Sequence, residues 1–319
     1  MFFKNAVVFR FPKSILPELE QIEDRIAENP LKPVAGLDLQ STGFIAPHGK
    51  GASALVVRQG ANIWLTQATQ SRVLPAAAVN EVFTARLEEI EEQEGSKLGS
   101  KARKQLKDDV MAEMIPRAFV VSSRTNIWIN TELCVVVVDA SSKKRAEAAI
   151  SLIRQAMGSF PATQINPEVS VRGCLTGWIT GEPIPEGITI GDESVLKDPV
   201  DGGATATLSK QDLSAEEITK HLENGKQVSR IGVTVNDHVS LTVGEDLVLR
   251  KIKLLDGAME QIENNEQESQ QDELDARFAL FAGEMRAVLS TLFDAFRISS
   301  AEPLFERAEA PVTAMKKVA

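Results

Sequence analysis

The residues of this 319-residue chain that could do chemistry do not stand in the spacings that catalysis needs. A phosphate-binding loop requires Gly-x4-Gly-Lys-[Ser/Thr], so that backbone N–H groups hold the phosphates and a hydroxyl reaches magnesium. Gly49-Lys50 and Gly225-Lys226 lack both the upstream glycine and the following hydroxyl. Nucleases of the common restriction type need an acidic residue two positions before a lysine, and the sequence contains no such pair. We therefore predict neither ATP-driven motion nor nuclease activity.

The sequence also contains little that would support metal binding or nucleophilic catalysis. The three histidines, His48, His221 and His238, are far apart and lack the spacing of metal ligands, so we assign them structural or surface roles. Asp108 and Asp109 could hold a cation, but adjacent helical residues point about 100° apart, which favours pairing with nearby lysines. We predict a protein that is not an enzyme and that needs neither a cofactor nor a metal.

The cysteines and the N-terminus indicate the compartment. Cys134 opens an apolar run and is interpreted as a small buried hydrophobe, while Cys134 and Cys174 together allow at most one disulfide. The first residues contain no apolar core of a signal peptide, and no stretch approaches the ~20 apolar residues of a membrane helix. The sequence predicts a soluble, cytoplasmic protein without a membrane partner.

Five cations crowd one segment of a chain whose formal net charge is −10. They are Lys97, Lys101, Arg103, Lys104 and Lys107, and the lysine spacings of 4, 3 and 3 put the four lysines on one face of a helix. Such a face is either merely solvated or contacts phosphate, the commonest partner of a basic face. With no tyrosine and three tryptophans, base stacking is a minor contribution. The second interpretation predicts sequence-independent contact with the backbone of duplex DNA.

The elements that must position these residues indicate an α+β fold of antiparallel sheets with packed helices. Helices are predicted over 14–29, from Pro75 onward, from Ser100 to before Pro116, over 142–157, after a capping box at Ser214–Glu217, and over about 274–296. Strands are predicted over 3–11, 54–57, 63–66, 118–122, 126–129, 133–139, 227–235, 238–243 and 247–254. Residues 160–210 are rich in Pro and Gly and predict only scattered short strands.

Two features near the C-terminus concern partners. The apolar positions of the 274–296 helix are wide enough to bury two sides, which favours packing between subunits. Residues 256–275 carry eight acidic residues and no basic one. That segment is either a solvated linker or helix face, or a patch for a partner.

The sequence resembles the RdgC family in eight blocks that keep their order and spacing from residue 1 to about residue 297. The blocks are Phe3-Lys4-Asn5 with Val8-Phe9-Arg10, Gly43-Phe44-Ile45-Ala46-Pro47, Val73-Leu74-Pro75, Leu106-Lys107-Asp108-Asp109, Pro116-Arg117-Ala118-Phe119, Gly158-Ser159-Phe160-Pro161, Lys210-Gln211-Asp212-Leu213 with Glu217-Ile218-Thr219, and Phe281-Ala282-Gly283-Glu284. Each block alone is weak evidence of a relationship, and eight blocks in register are strong evidence of one. Residues 300–319 lie outside the resemblance.

The resemblance implies a homodimer that closes into a ring through two interfaces around a positively lined hole wide enough for double-stranded DNA. It implies DNA binding with little sequence preference, association with the nucleoid, and restraint of RecA-driven strand exchange by occupying the DNA. RecA would then be affected indirectly, through shared DNA. The implied regions are a central α+β region over 1–74 and 116–165, a helical tip over 75–115, a base over 166–299 with a C-terminal dimerisation helix, and a flexible tail over 300–319.

The site residues follow from the basic segment and from the matched blocks. The predicted DNA-binding set is Lys97, Lys101, Arg103, Lys104, Lys107, Arg117, Lys210 and Gln211. The predicted dimer contacts are Phe119, Phe281 and Phe293. Phe119 is either a core residue of an alternating strand or an aromatic anchor between subunits, and the Lys210-Gln211 loop is either a functional loop or a plain turn. The competing hypothesis is a protein regulator that binds RecA directly, with DNA contact incidental.

Overall fold

A computed structural model describes residues 3–299 except residue 50, residues 201–202 and residues 256–268. Its helices and antiparallel sheets confirm the predicted α+β class. The predictions for the 300–319 tail and for most of the acidic segment fall outside the described residues.

The N-terminal half forms a seven-stranded sheet. Its strands are β1 (Val7–Arg10), β2 (Gln40–Ile45), β3 (Val56–Gln59), β4 (Asn62–Val73), β5 (Phe119–Asn130), β6 (Val135–Val138) and β7 (Thr163–Gln164). The order is β2-β4-β5-β6-β1-β7, with β3 also paired to β4, and the named pairs are antiparallel. The β-branched run of β6 is buried throughout, as expected for a central strand with both faces covered.

The two longest strands extend beyond the body of this sheet. β4 and β5 pair over twelve residues, from Asn62 opposite Asn130 to Val73 opposite Phe119. The second half of β5 is buried, whereas its first half, Phe119–Arg124, is exposed. Helices α3 (Ala76–Glu94) and α4 (Ser100–Met114) connect the outer ends of the two strands. We call the outer halves of β4 and β5 together with α3 and α4 the arm.

Helices cover one face of the seven-stranded sheet. They are α1 (Leu16–Leu19) and α2 (Ile22–Ala27), which follow a 3-10 turn at Lys13–Ile15, and α5 (Lys143–Met157). The single helix predicted over 14–29 is thus broken into three short pieces. Its predicted apolar positions, Ile15, Leu19, Ile22 and Ile26, are nevertheless all buried against the sheet.

The C-terminal half forms a five-stranded antiparallel sheet. Its strands are β8 (Ile188–Lys197), β9 (Thr205–Leu208), β10 (Gln227–Val235), β11 (Val239–Gly244) and β12 (Leu249–Leu254), in the order β12-β11-β10-β8-β9. Helices α6 (Val171–Ile179), which the sequence reasoning missed, and α7 (Glu216–Glu223) pack nearby. The predicted capping box is wrong: α7 starts after Ala215, because the Ser214 hydroxyl donates to Asp212 at 2.6 Å instead.

The last helix, α8 (Gln270–Ala295), lies between the two sheets. On one side Phe281 meets Phe3 and Trp128 of the first sheet region, and on the other α8 faces Val239 and Ile252 of the second sheet. Phe281 and Phe293 are 3% and 7% exposed within a single chain. The inference that this helix needs a second subunit is therefore wrong, since the second apolar side is covered by the chain's own sheet. Phe281 and Phe293 are core residues and not available dimer contacts.

Candidate nucleic-acid interface

In the structure, the five cations of the predicted basic face have different surroundings. Lys97 lies in the turn before α4, while Lys101 and Lys104 are exposed on the helix. Arg103 is bound to Glu91 at 2.8 Å. Lys107 donates to Asn80 at 3.0 Å and lies 6.0 Å from the centre of the Phe83 ring.

Acidic residues lie within the same surface. At about 100° per residue, Asp108 falls between Lys101 and Lys104 around the axis of α4. Residues 76–114 carry six Lys and Arg against nine Asp and Glu. The arm thus presents its cations on a surface of mixed charge, and the role of these lysines in DNA binding stays a prediction.

Ion pairs hold α3 against α4. Hydrogen bonds lower the pKa of Glu91, first from the backbone N–H of Leu98 and then from Arg103. The pKa of Glu113 is lowered mainly by Arg86, whose guanidinium donates to it at 2.5 Å. Both carboxylates thus stay ionised near neutral pH and connect the two helices. Because these groups lie at the surface, their contribution to stability is small.

An apolar patch lies at the junction of the strands with the helices. Phe119 is 85% exposed, and its neighbours Val73 and Val121 are 46% and 55% exposed. Phe119 pairs with Val73 across the arm, and Arg117 is exposed two residues earlier. The interpretation of Phe119 as a core residue is wrong. Its role as a dimer contact stays a prediction.

A cavity of about 410 Å³ opens in the same arm. Its apolar walls come from Leu39, Leu74, Val79 and Met111, at the meeting of β2, β4 and the two helices. The sequence did not predict that these residues meet, because their meeting depends on contacts between elements distant in sequence.

The Lys210-Gln211 loop lies elsewhere, against the five-stranded sheet. Lys210 has a φ of 54°, and the Gln211 backbone N–H donates to the Asp192 carbonyl at 3.1 Å. The Gln211 side-chain amide donates to Glu217 at 3.3 Å. The described structure contains no contact that joins this loop to the arm cations, so one subunit presents two separate groups of predicted DNA contacts.

Two further findings concern other kinds of site. Within the described residues, no three His, Cys, Asp or Glu side chains lie close enough together to hold a metal ion. None of the helices over the described ranges is long and apolar enough to cross a membrane.

Comparison with known proteins places this α+β architecture in a class named for recombination. Residues 1–299 match the family model described as "Putative exonuclease, RdgC". A recombination-associated protein RdgC from Xanthomonas campestris pv. campestris (strain B100) is 45% identical over 303 residues, covering 95% of this chain and 100% of the relative. The proteins of the same name from Xanthomonas axonopodis pv. citri (strain 306) and Stenotrophomonas maltophilia (strain R551-3) are 44% and 43% identical over the same lengths.

The chain belongs to the RdgC family. The family model and the relatives are named differently, one for an exonuclease and the others for recombination. A role in DNA recombination is the part that the relatives' name supports.

Proposed function

We propose that this protein binds double-stranded DNA without sequence preference, as a ring-shaped homodimer at the nucleoid in the cytoplasm, and restrains RecA-promoted recombination by occupying the DNA. In this proposal it catalyses no reaction. The observation that carries the DNA contact is the group of unpaired cations on the arm. The side chains of Lys97, Lys101, Lys104 and Arg117 are exposed and make neither a hydrogen bond nor an ion pair with the described residues.

Unpaired surface cations suit phosphate binding because they lose no existing partner on contact. Duplex DNA offers a dense row of phosphates, and each neutralised phosphate releases counterions. Contacts of that kind carry no information about base sequence. The arm cations thus support backbone binding rather than recognition of a particular site.

The homodimer is supported by the shape of the arm. The exposed Phe119 and the cavity lie close together along β4, since Val73 pairs with Phe119 and Leu74 lines the cavity, so they can serve as a knob and a hole. In a twofold contact each subunit can place its knob against the partner's hole, which is how a self-complementary interface works. A buried aromatic side chain also commonly lies at the centre of a protein interface.

The competing hypothesis is direct binding of RecA through the acidic segment. It requires carboxylates that are free to meet a partner. In the described part of that segment, the Asp272 carboxylate accepts from the Ser269 hydroxyl at 2.6 Å, Glu273 pairs with Arg277 at 2.6 Å, and Asp275 pairs with His48 at 2.9 Å. These carboxylates already have partners within the chain.

The test compares a variant of the arm with a matched control. Lys97, Lys101 and Lys104 are changed together to Glu; the control changes Lys13, Lys32 and Lys144, which are exposed near the helices on the outer side of the seven-stranded sheet. Both variants alter the net charge equally, and exposed substitutions typically alter stability by no more than about 0.5 kcal/mol each. We expect the arm variant alone to lose duplex binding and inhibition of RecA-driven strand exchange together.

Two other results would count against the proposal. If the arm variant loses DNA binding but still inhibits strand exchange, the protein acts on RecA directly. If the arm and control variants bind duplex equally, the arm cations are only solvated. Release of nucleotides from a duplex by purified protein would contradict the non-catalytic part.

A further inference from the structure

The side chain of Arg72 joins parts of the arm and its surroundings that are far apart in sequence. Its Nη1 donates to the Ile115 carbonyl at 2.6 Å, and its Nη2 donates to the Val34 carbonyl at 3.4 Å. The backbone N–H of the same residue donates to the Leu39 carbonyl at 2.8 Å. Arg72 thus connects β4 to the 3-10 turn Ile115–Arg117, which follows α4, and to the chain that leads into β2.

The contact at Ile115 supplies a positive charge that α4 itself lacks. The last carbonyls of a helix have no partner within the helix, and the helix dipole makes that end negative, so a cation there is stabilising. The last turn of α4 contains no basic residue, and Ile115 is its C-cap. The Arg72 guanidinium reaches this C-cap from the neighbouring strand. Its hydrogen bonds to described residues go to carbonyls rather than to a carboxylate, and its Nε is buried without a partner.

These contacts hold the start of β5 against the wall of the apolar cavity. On one side, the Ile115 carbonyl also accepts from the N–H of Ala118 at 3.1 Å, and Phe119 is the next residue. On the other side, Arg72 and Leu39 are themselves part of the cavity wall. One side chain therefore connects the turn that carries the Phe119 knob to the wall of the hole.

The arrangement of knob and hole within one subunit matters in a twofold contact. Each knob has to meet the partner's hole, so both contacts form together only if the two features are correctly placed. Holding them in that arrangement before association lowers the cost of ordering them on binding. We infer that Arg72 is a positioning residue of the dimer contact, which acts on Phe119 through the Ile115 carbonyl. This inference rests on the proposed function and requires no contact between Arg72 and the partner.

The chemistry of the guanidinium predicts a graded series of variants. Arg72→Lys keeps the positive charge at the end of α4, but one ammonium group does not reproduce the planar fork that meets two carbonyls. Arg72→Gln keeps an amide donor and loses the charge. We expect the dissociation constant of the dimer to rise by about threefold for Lys and by about tenfold or more for Gln.

The test is a double-mutant cycle between Arg72 and Phe119. The dissociation constant of the dimer is measured by sedimentation over a dilution series for wild type, Arg72→Gln, Phe119→Ala and the double variant. If Arg72 acts by positioning Phe119, Arg72→Gln should weaken the dimer of the otherwise wild-type chain and have little further effect once Phe119 is alanine.

A matched control is available on the body of the seven-stranded sheet. Arg58 on β3 also donates to a backbone carbonyl, that of Leu19 at the end of α1, at 2.8 Å. Arg58→Gln makes the same chemical change away from the arm, so we expect it to leave the dissociation constant of the dimer unchanged.

Thermal unfolding at one fixed protein concentration separates positioning from a general loss of stability. A purely structural role would make Arg72→Gln lower the Tm and weaken the dimer to the same extent whether or not Phe119 is present. If Arg72→Gln does not fold, the same cycle is measured with Arg72→Lys, which keeps the charge at the end of α4.

The outcomes separate this inference from the dimer contact on which it rests. Equal weakening of the dimer by Arg72→Gln with and without Phe119 overturns the inference and leaves the proposed contact in place. An unchanged dimer in Arg72→Gln, or equal weakening by Arg58→Gln, overturns it as well. If Phe119→Ala alone leaves the dissociation constant unchanged, the proposed contact at Phe119 fails, and the inference fails with it.

Discussion

Phe281 packs against Phe3 with ring centroids 4.4 Å apart and against Trp128 at 5.9 Å. Phe119, by contrast, is the first residue of β5 and has most of its side chain in solvent. The sequence predicted both as dimer contacts, because an apolar residue in a matched block looks the same in either setting. Only packing partners distant in sequence decide which phenylalanine is buried within the chain.

Substitutions at the two phenylalanines are expected to change stability by very different amounts. Phe281→Ala leaves a cavity between the sheets and should lower the free energy of unfolding by about 3–5 kcal/mol. Phe119→Ala removes an exposed side chain and should change it by no more than about 0.5 kcal/mol. Denaturant unfolding followed by circular dichroism measures both, with protein concentration held fixed. Sedimentation of Phe119→Ala should also show more monomer than wild type, and an unchanged dimer would remove Phe119 from the interface.

The partly buried carboxyl of Asp139 is expected to make the stability of the protein depend on pH. Burial raises the pKa of its carboxyl, although the backbone N–H groups of Asn5 and Lys4 donate to it at 3.1 and 3.2 Å. A raised carboxyl pKa means that the folded state binds the proton more tightly than the unfolded chain. Ionisation therefore costs stability, and this cost develops as pH rises from the ordinary pKa to the raised one and stays constant above it.

Asp139→Asn keeps an oxygen to accept both hydrogen bonds and removes the charge. At pH 7 we expect the variant to have a Tm equal to or above that of wild type. The advantage should shrink as pH falls below the ordinary pKa of aspartate, where the wild-type carboxyl is protonated. Thermal unfolding at both pH values checks this. A large loss of stability at pH 7 would mean that the charge itself is needed, against Lys4 or Arg145.

At the scale of elements, the sequence pattern correctly predicted features that depend on residues close together in the chain. The helix at α5 was predicted over 142–157, and the structure has Ser142 as its N-cap, accepting from the Arg145 N–H at 3.4 Å. β5 was predicted as two short strands, since polar residues at 123–125 interrupt its apolar pattern. Pairing with β4 over its full length overrides that interruption. The burial of α8 on both sides likewise depends on how the two sheets meet.

Gly43 shows how closely β2 approaches the chain before it. A Cβ at this position would lie 2.5 Å from both Cα and N of Leu31, which are backbone atoms that side-chain rotation cannot move. Gly43→Ala should therefore lower stability by about 1–3 kcal/mol. Gly283 is the control: it is exposed inside α8 with nothing within 4 Å of an added Cβ. Gly283→Ala should raise stability by about 0.5–1 kcal/mol, because glycine is a poor helix former. Equal effects of the two changes would contradict the close approach at Leu31.

At the scale of the whole molecule, the acidic chain carries two groups of unpaired cations besides scattered ones such as Lys13 and Lys32. One group lies on the arm beside the exposed apolar patch, and the other stands on one face of the five-stranded sheet. Negative charge elsewhere limits non-specific association, while local positive charge can still attract phosphate. The proposed dimer contact at Phe119 would bring the arms of two subunits together.

The most direct measurement of the central claim is the equilibrium affinity of the wild-type protein for duplex DNA over a range of salt, using two duplexes of equal length and unrelated sequence. Binding through five or more phosphates predicts that log K falls with log salt at a slope of about −4 or steeper. Contact with the backbone alone predicts the same affinity and slope for both duplexes. A nearly flat salt response, or strong preference for one sequence, would contradict the account.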